Sequence, residues 1–186
     1  MGLVDLWRAS MTDLFSHLPM TRPMVAADAD AVLAIYGEGI ADGHSTFNET
    51  VPGFEEWSDR HLERPRIVVD LDGAVAGWAA LSAVSSRPVY AGVAEVSVYV
   101  AKNARNRGVG NALMKTLVAQ SEAEGFWTLQ AGIFPENTAS LGLHQKNGFK
   151  ILGVREKLGK MGFGPMLGAW RDVVFMERRS RVAGVD

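Results

Sequence analysis

The sequence predicts a mixed α/β fold built on one central sheet. Strand-like and helix-like segments alternate in the order β-α-α-β-β-β-α-β-α-β-β. An Asp72-Gly73 pair between two apolar runs is the strongest short hairpin signal in the chain. A strand over Val93–Val100 leads into a basic glycine turn and then a helix, a junction that offers backbone N–H groups to an anion.

The elements follow in order. Trp7, Met11, Leu14 and Leu18 fall at spacings of 4, 3 and 4, an apolar stripe on an accessory helix that Pro19 ends. Residues 1–19 therefore stand apart from a main domain over 20–179, with 180–186 as a tail. Thr21–Val25 is a short first strand. Asp28 is an N-cap for a helix carrying Val32, Ile35 and Tyr36 on one face, and Gly43 ends it. The polar loop His44–Val51 and a helix over Phe54–Leu62 precede the hairpin strands Arg66–Leu71 and Ala74–Leu81. After the strand Val93–Val100 comes a helix over Asn111–Glu122, with Leu113, Leu117 and Val118 inward. A strand over Phe126–Ile133 precedes a helix over Asn137–Lys146, capped by Asn137 and closed by Asn147-Gly148. Strands Phe149–Val154 and Trp170–Met176 flank a loop rich in glycine and methionine.

Composition narrows the function. With 186 residues, 47% hydrophobic and 22% charged, the chain has the make-up of a folded domain with a sizeable core. A net charge of −2 predicts neither nucleic acid nor anionic membrane as a partner. The chain has no cysteine, which excludes disulfides, thiolate metal sites and cysteine nucleophiles; no metal is expected. No apolar run reaches membrane-spanning length, and the first residues lack a secretion-leader pattern. A cytoplasmic location is the expectation.

The glycine turn is Arg105-Asn106-Arg107-Gly108-Val109-Gly110-Asn111. A P-loop would end in Gly-Lys-Ser/Thr, but Asn-Ala follows Gly110. A dinucleotide fingerprint needs a third glycine where Leu113 stands. What remains is Arg105-x-x-Gly108-x-Gly110 directly behind a strand. As a pattern on its own it is either a phosphate cradle or a tight strand-to-helix turn. About 30 residues downstream is Asn137-Thr-Ala-Ser140-Leu-Gly-Leu-His144-Gln-Lys-Asn-Gly148-Phe149. Its Asn137, Ser140 and His144, at i, i+3 and i+7, share one helix face.

Together these two segments resemble the coenzyme-binding motifs of the GNAT superfamily of N-acetyltransferases. The resemblance runs from about residue 20 to residue 179. It implies the GNAT fold: a mixed, mostly antiparallel sheet flanked by helices, splayed between strands 4 and 5 by a bulge. It implies acetyl-CoA as co-substrate, with its pyrophosphate on Arg105–Asn111. Its pantetheine arm would lie along the main chain of Val98, Tyr99 and Val100 and beside Asn137 and Ser140. Ile35-Tyr36, Ser45-Thr46-Phe47, Glu95-Val-Ser-Val-Tyr-Val, Leu143-His144 and Trp170-x-Asp172 together resemble one subgroup. Its members acetylate phosphinothricin, arsinothricin and methionine sulfoximine, a herbicide and antibiotic resistance chemistry.

That resemblance assigns roles. Read alone, Glu95 is an exposed strand glutamate; the subgroup makes it the base that takes the proton of the attacking amine. A backbone N–H near Val98 or Val100 would meet the developing oxyanion. His144 stands where many relatives carry a tyrosine, and is a proton donor, a hydrogen-bond partner of Glu95 or substrate, or a buried structural histidine. Arg87 and Tyr90 match substrate positions, Arg87 as a bidentate cation for carboxylate or phosphinate. Thr46 and Phe47 would line the side-chain pocket; Trp170 would close it or belong to the core. Ser85 replaces a lysine frequent in the subgroup, and Gly159–Gly168 is an insertion; both leave the acceptor open. A homodimer is expected, since subgroup members pair. The alternatives are a peptide or protein N-terminal acetyltransferase and a non-catalytic acyl-CoA-binding module.

Overall fold

The computed structural model describes residues 19–185; the expected helix carrying Trp7, Met11, Leu14 and Leu18 lies outside them. The elements are β1 (Met20–Pro23), α1 (Ala29–Asp42), α2 (Phe54–Asp59), β2 (Arg66–Leu71), β3 (Ala74–Ala83) and β4 (Val93–Val100). There follow α3 (Val109–Ala123), β5 (Thr128–Ile133), α4 (Thr138–Lys146), β6 (Lys150–Lys160) and β7 (Trp170–Arg179). The seven strands form one sheet in the order β1-β2-β3-β4-β5-β7-β6. Every neighbouring pair is antiparallel except β4 and β5.

Local chemistry explains most boundaries. Asp72 and Gly73 both have positive φ (54° and 80°), the two-residue turn whose twist matches its strands. Gly43 ends α1 in the left-handed region with φ 70°. Asp28 precedes α1 as expected, but its carboxylate does not cap that helix. It accepts from the Val25 N–H at 2.8 Å and from both terminal nitrogens of Arg22 at 2.7 and 2.9 Å. A guanidinium delivered by β1 outcompetes an N-cap hydrogen bond because both partners are charged.

Gly77 and Trp78 show how the two faces of the sheet are covered. A Cβ on Gly77 would stand 3.0 Å from Val109 and 3.1 Å from Leu113, so that face packs on α3. Trp78 points the other way, 6.0 Å from the Tyr36 ring of α1 and 5.2 Å from Trp57 of α2. Leu113, Met114 and Leu117 of α3 are fully buried, as are Trp57 and Trp78. Each such side chain contributes about 1.5–3 kcal/mol by leaving water.

The last strands differ most from expectation. β6 runs to Lys160, so it absorbs the start of the glycine-rich loop, and nearly all of it is exposed at the sheet edge. The rest of that loop is anchored: Met161 is buried with Phe134 and Val173 in a small second core, against which Phe47, Phe163 and Met166 pack. The tail residues Ser180–Gly184 fold back, with Ser180 Oγ donating to Glu122 at 2.8 Å and Arg179 donating to Ala183 O at 3.0 Å. No helix among the described residues is long and apolar enough to cross a membrane.

Candidate active site

The site begins where two strands part. β4 pairs with β5 only through Val93–Glu95 against Thr128–Gln130. Beyond Glu95 the strands separate, while the β3–β4 register runs unbroken from Gly77–Val100 to Ala83–Ala94. The splay is present; the bulge expected to cause it is not in that ladder. Gly92 O accepts from Trp127 N and Thr128 N at 2.9 and 3.1 Å, so even-numbered residues of β4 aim their main chain at β5. Val98 and Val100 therefore present N–H and C=O groups to the gap. Tyr99 turns its main chain toward β3, contrary to expectation, and contributes its ring instead.

A cleft of about 1110 Å³ fills the gap. At one end is the N-terminus of α3. Gly108 caps it with φ 84°, and Asn106 has φ 62°, so successive N–H groups face the cleft in a nest. A Cβ at Gly110 would reach Leu143 at 3.2 Å and Val100 at 3.6 Å, so glycine lets α3 approach β4 and α4 closely. Arg105, Asn106, Gly108, Val109, Gly110 and Asn111 line the cleft; Arg107 does not. Arg107 reaches away to Asp72 of the β2–β3 turn at 2.7 Å, and Arg105 is paired with Asp42 at 2.6 Å. Both arginines brace the turn through carboxylates of neighbouring elements, Arg105 while still lining the cleft.

The opposite wall is the start of α4. Asn137 Oδ1 accepts from Ser140 N at 3.1 Å, a true N-cap, and Asn137 Nδ2 donates to His44 O at 3.2 Å. His144, two turns on from Asn137, is 4% exposed. Its Nδ1 donates to Ser140 O at 2.8 Å, which fixes the neutral ring in the Nδ1–H tautomer. Nε2 is buried without a partner among the described residues, and the residue borders the cleft. Burial pushes the His144 pKa down, against the pull of the Ser140 carbonyl.

Glu95 stands at the last rung before the gap. Ser82, Glu95 and Gln130 are paired across β3, β4 and β5, and Gln130 is paired with Glu177, so all four share one face. The Glu95 side chain has solvent-accessible surface, but the cleft walls crowd its carboxylate. That loss of hydration pushes its pKa up, and the charge of Arg155 on β6 partly opposes the rise. Tyr99 and Tyr36 meet edge to face at 5.0 Å behind it, and Asn48 donates to the Tyr36 hydroxyl. Burial raises the Tyr99 phenol far above its usual range, so it stays protonated.

Arg171 ties together the loops at the edge of the cleft. It is 2% exposed and donates to Gly43 O at 3.0 Å, to His44 Nδ1 at 3.2 Å and to Glu136 at 3.0 Å. Partial burial works to raise the Glu136 pKa, but hydrogen bonds from its own main-chain N–H and from Arg171 outweigh it and the pKa falls. The loop bearing Thr46 and Phe47 is thereby tied to the entrance of α4. Phe47 meets Phe134 edge to face at 4.8 Å.

The structure thus brings Glu95, His144, Val98, Val100, the Gly108 turn, Asn137, Ser140, Thr46 and Phe47 around one cleft. Three expected substrate residues lie elsewhere. Arg87 and Tyr90 sit on an exposed turn, with the guanidinium 5.5 Å from the ring centre. Tyr90 borders a smaller hollow of about 410 Å³ with Val93, Gln130 and Glu177, adjacent on the same face. Trp170 is 59% exposed at the start of β7, neither lid nor core, because it pairs with Lys160 at the sheet edge. Sequence reasoning missed Arg155 and Arg171; both look like ordinary strand cations until β6 and β7 are placed beside the cleft. Among the described residues no group of three or more His, Cys, Asp or Glu side chains is arranged to hold a metal ion.

Comparison with known proteins agrees with this geometry. Residues 31–149 match the Acetyltransferase (GNAT) family. The chain is 36% identical over 157 residues to a phosphinothricin N-acetyltransferase of Alcaligenes faecalis, covering 81% of this chain and 77% of that one. It is 31% identical over 157 residues to an L-methionine sulfoximine/L-methionine sulfone acetyltransferase of Pseudomonas paraeruginosa, covering 81% and 88%. A GNAT superfamily phosphinothricin acetyltransferase from Sinorhizobium meliloti, crystallised with AcCoA, superposes with a TM-score of 0.79 at 32% identity, covering 90% and 91%. A sheet that opens between β4 and β5, two helix N-termini turned into the opening and a carboxylate at its last rung belong together for one reason: the chain is an acetyltransferase of the GNAT family.

Proposed function

We propose that the enzyme moves acetyl from acetyl-CoA to the α-amino group of a small amino acid of the phosphinothricin, arsinothricin or methionine sulfoximine type. The observation that carries this reading is Glu95 on the last β4–β5 rung, beside main-chain groups of Val98 and Val100 that face the gap. The α3 N-terminus from Asn106 to Asn111 receives the pyrophosphate through backbone N–H groups, and the pantetheine arm runs between β4 and the Asn137–Ser140 turn. The amine attacks the thioester carbonyl while Glu95, directly or through one water, takes its proton. An N–H of Val98 or Val100 meets the oxyanion; the C–S bond then breaks and the thiolate leaves. His144, neutral and buried, acts as an acceptor that positions the arm rather than as an acid.

Thr46 and Phe47 wall the acceptor side chain. Tyr90, which borders the adjacent hollow, and Arg87, stacked by the Tyr90 ring, hold its far anionic end. A coenzyme A thioester as co-substrate supports a cytoplasmic site of action. The exposed apolar side chains Ile151, Leu152, Val154, Leu158 and Trp170 along the β6 edge support a homodimer. Sedimentation at micromolar concentration tests the dimer; a monomer there discards it.

An acceptor panel with free-thiol release as readout tests the activity: phosphinothricin, arsinothricin, methionine sulfoximine, methionine sulfone, the common amino acids and peptides with free N-termini. Turnover confined to the first four is expected. Turnover with peptides alone makes it an N-terminal acetyltransferase, and no acceptor-dependent thiol at all makes it an acyl-CoA-binding module.

A further inference from the structure

We infer that Arg155 is the specificity-determining cation for the acceptor's α-carboxylate, leaving Arg87 for the far end of the side chain. This rests on the acetyl-transfer reading above and adds an assignment to it.

Three arginines line the cleft: Arg60, Arg105 and Arg155. Arg60 is paired with Glu56 and Arg105 with Asp42. Among the described residues Arg155 has no carboxylate within ion-pair distance; its guanidinium lies 5.6 Å from the ring centre of Phe175. A cation resting on an aromatic face keeps its planar fork free for a carboxylate.

Position points the same way. Arg155 is paired with Val173 on β7, and Val173 and Phe175 both line the cleft. Between the Glu95–Gln130 rung and Phe175 the floor is low, since Gly132 of β5 stands opposite Phe175. A Cβ on Gly132 would sit 3.1 Å from Val173, so glycine there leaves β7 close and the path between Glu95 and Arg155 clear.

The chemistry of an α-amino acid then decides which anion goes where. Its amine and its carboxylate share one carbon, so a base serving the amine and a cation serving the carboxylate must be near each other. Arg155 is near enough that its charge acts on the Glu95 carboxyl, and no other cation of the described residues does so to a resolved extent. Arg87 lies outside the cleft, its guanidinium 5.5 Å from the ring centre of Tyr90, which borders the neighbouring hollow on the same face.

The test uses methionine sulfone and its α-carboxamide, which differ only in the carboxylate, and phosphinothricin for the far anion. The acceptor KM and the kcat/KM–pH profile are measured for wild type, Arg155→Met and Arg155→Lys at saturating acetyl-CoA. Wild type is expected to favour the acid over the amide. Arg155→Met is expected to raise the acceptor KM for both acids by roughly ten- to a hundredfold, leave the amide unchanged, and move the acidic limb to higher pH. Arg155→Lys is expected to restore part of the preference, since it keeps charge but not the fork. An acid preference that survives Arg155→Met, or a loss confined to phosphinothricin, overturns the inference with acetyl transfer intact. A wild-type enzyme active on neither acid overturns the functional reading first, and the inference with it. Should Arg155→Met not fold, Arg155→Lys with wild-type acid preference and wild-type pH profile overturns it as well.

Discussion

The guanidinium of Arg171 lies 4.0 Å from the ring centre of Phe134, and the same side chain donates to Glu136 two residues beyond that ring. A β7 residue thus grips both the end of β5 and the approach to α4, and through Gly43 and His44 it also holds the loop after α1. Cation–π stacking and three hydrogen bonds keep a charge buried that would otherwise be costly.

Arg171→Met is therefore expected to cost about 1–3 kcal/mol of stability, since it leaves the buried Gly43 O without its donor and removes one of the two donors to Glu136. It is also expected to raise KM for both acetyl-CoA and acceptor, because Asn137 and the Thr46–Phe47 loop are held through it. Thermal melts and two-substrate kinetics check this. An unchanged melting temperature, or kinetic loss for the acceptor alone, contradicts the clamp.

Glu95→Gln is expected to lower kcat by roughly 10²–10⁴, the range for losing a general base. Stability should move the other way. The folded-state pKa of Glu95 is raised, so what the group contributes to stability is present at acidic pH and is lost as pH rises through that raised pKa. The variant should then melt at or above wild type at pH 8 and show no gain at pH 4. Wild-type turnover removes Glu95 as the base.

In the glycine turn, a side chain at position 108 meets a φ of 84°, and one at position 110 meets Leu143. Gly108→Val and Gly110→Val are expected to raise KM for acetyl-CoA by at least about tenfold, the equivalent of roughly 1.4 kcal/mol, with little change for the acceptor. Arg107→Ala is expected to leave both constants near wild type, because its partner is Asp72 outside the cleft. A large coenzyme effect at Arg107 reverses that distinction.

His144 supplies a pH prediction of opposite sign to that of Glu95. Its folded-state pKa lies below the usual histidine value, so its share of stability is present above about pH 6.5 and fades on acidification. Between pH 7.5 and 5 the wild type should lose more melting temperature than His144→Gln does. Parallel losses in the two proteins count against a neutral, buried ring.

Local signals carried much of this fold. Asp72-Gly73 dictated its own turn, and Val32, Ile35 and Tyr36 are buried on α1 as their spacing requires. The Gly108 turn and Asn137 were legible because backbone chemistry at a helix start is local. Arg171 was not: its acceptor Gly43 is 128 positions away, and nothing near either residue announces the contact. Arg107 and Arg105 looked alike as cations of one turn, yet Asp72 and Asp42, each far along the chain, decide where they point. The length of β6 was hidden too, since its pairing with β7 rather than its own composition extends it to Lys160.

The short β4–β5 contact of three residue pairs has an evolutionary consequence. If the proposed thioester slot lies there, it is made of main-chain groups without a β5 partner, and its recognition does not depend on which side chains occupy positions 98 and 100. On the proposed reading, drift at Thr46 or Phe47, across the cleft from that strand's main chain, can reshape the acceptor chamber while the acetyl donor's berth is inherited intact. Selection for a new amine thus acts on one half of the catalytic pair without putting the other half at risk.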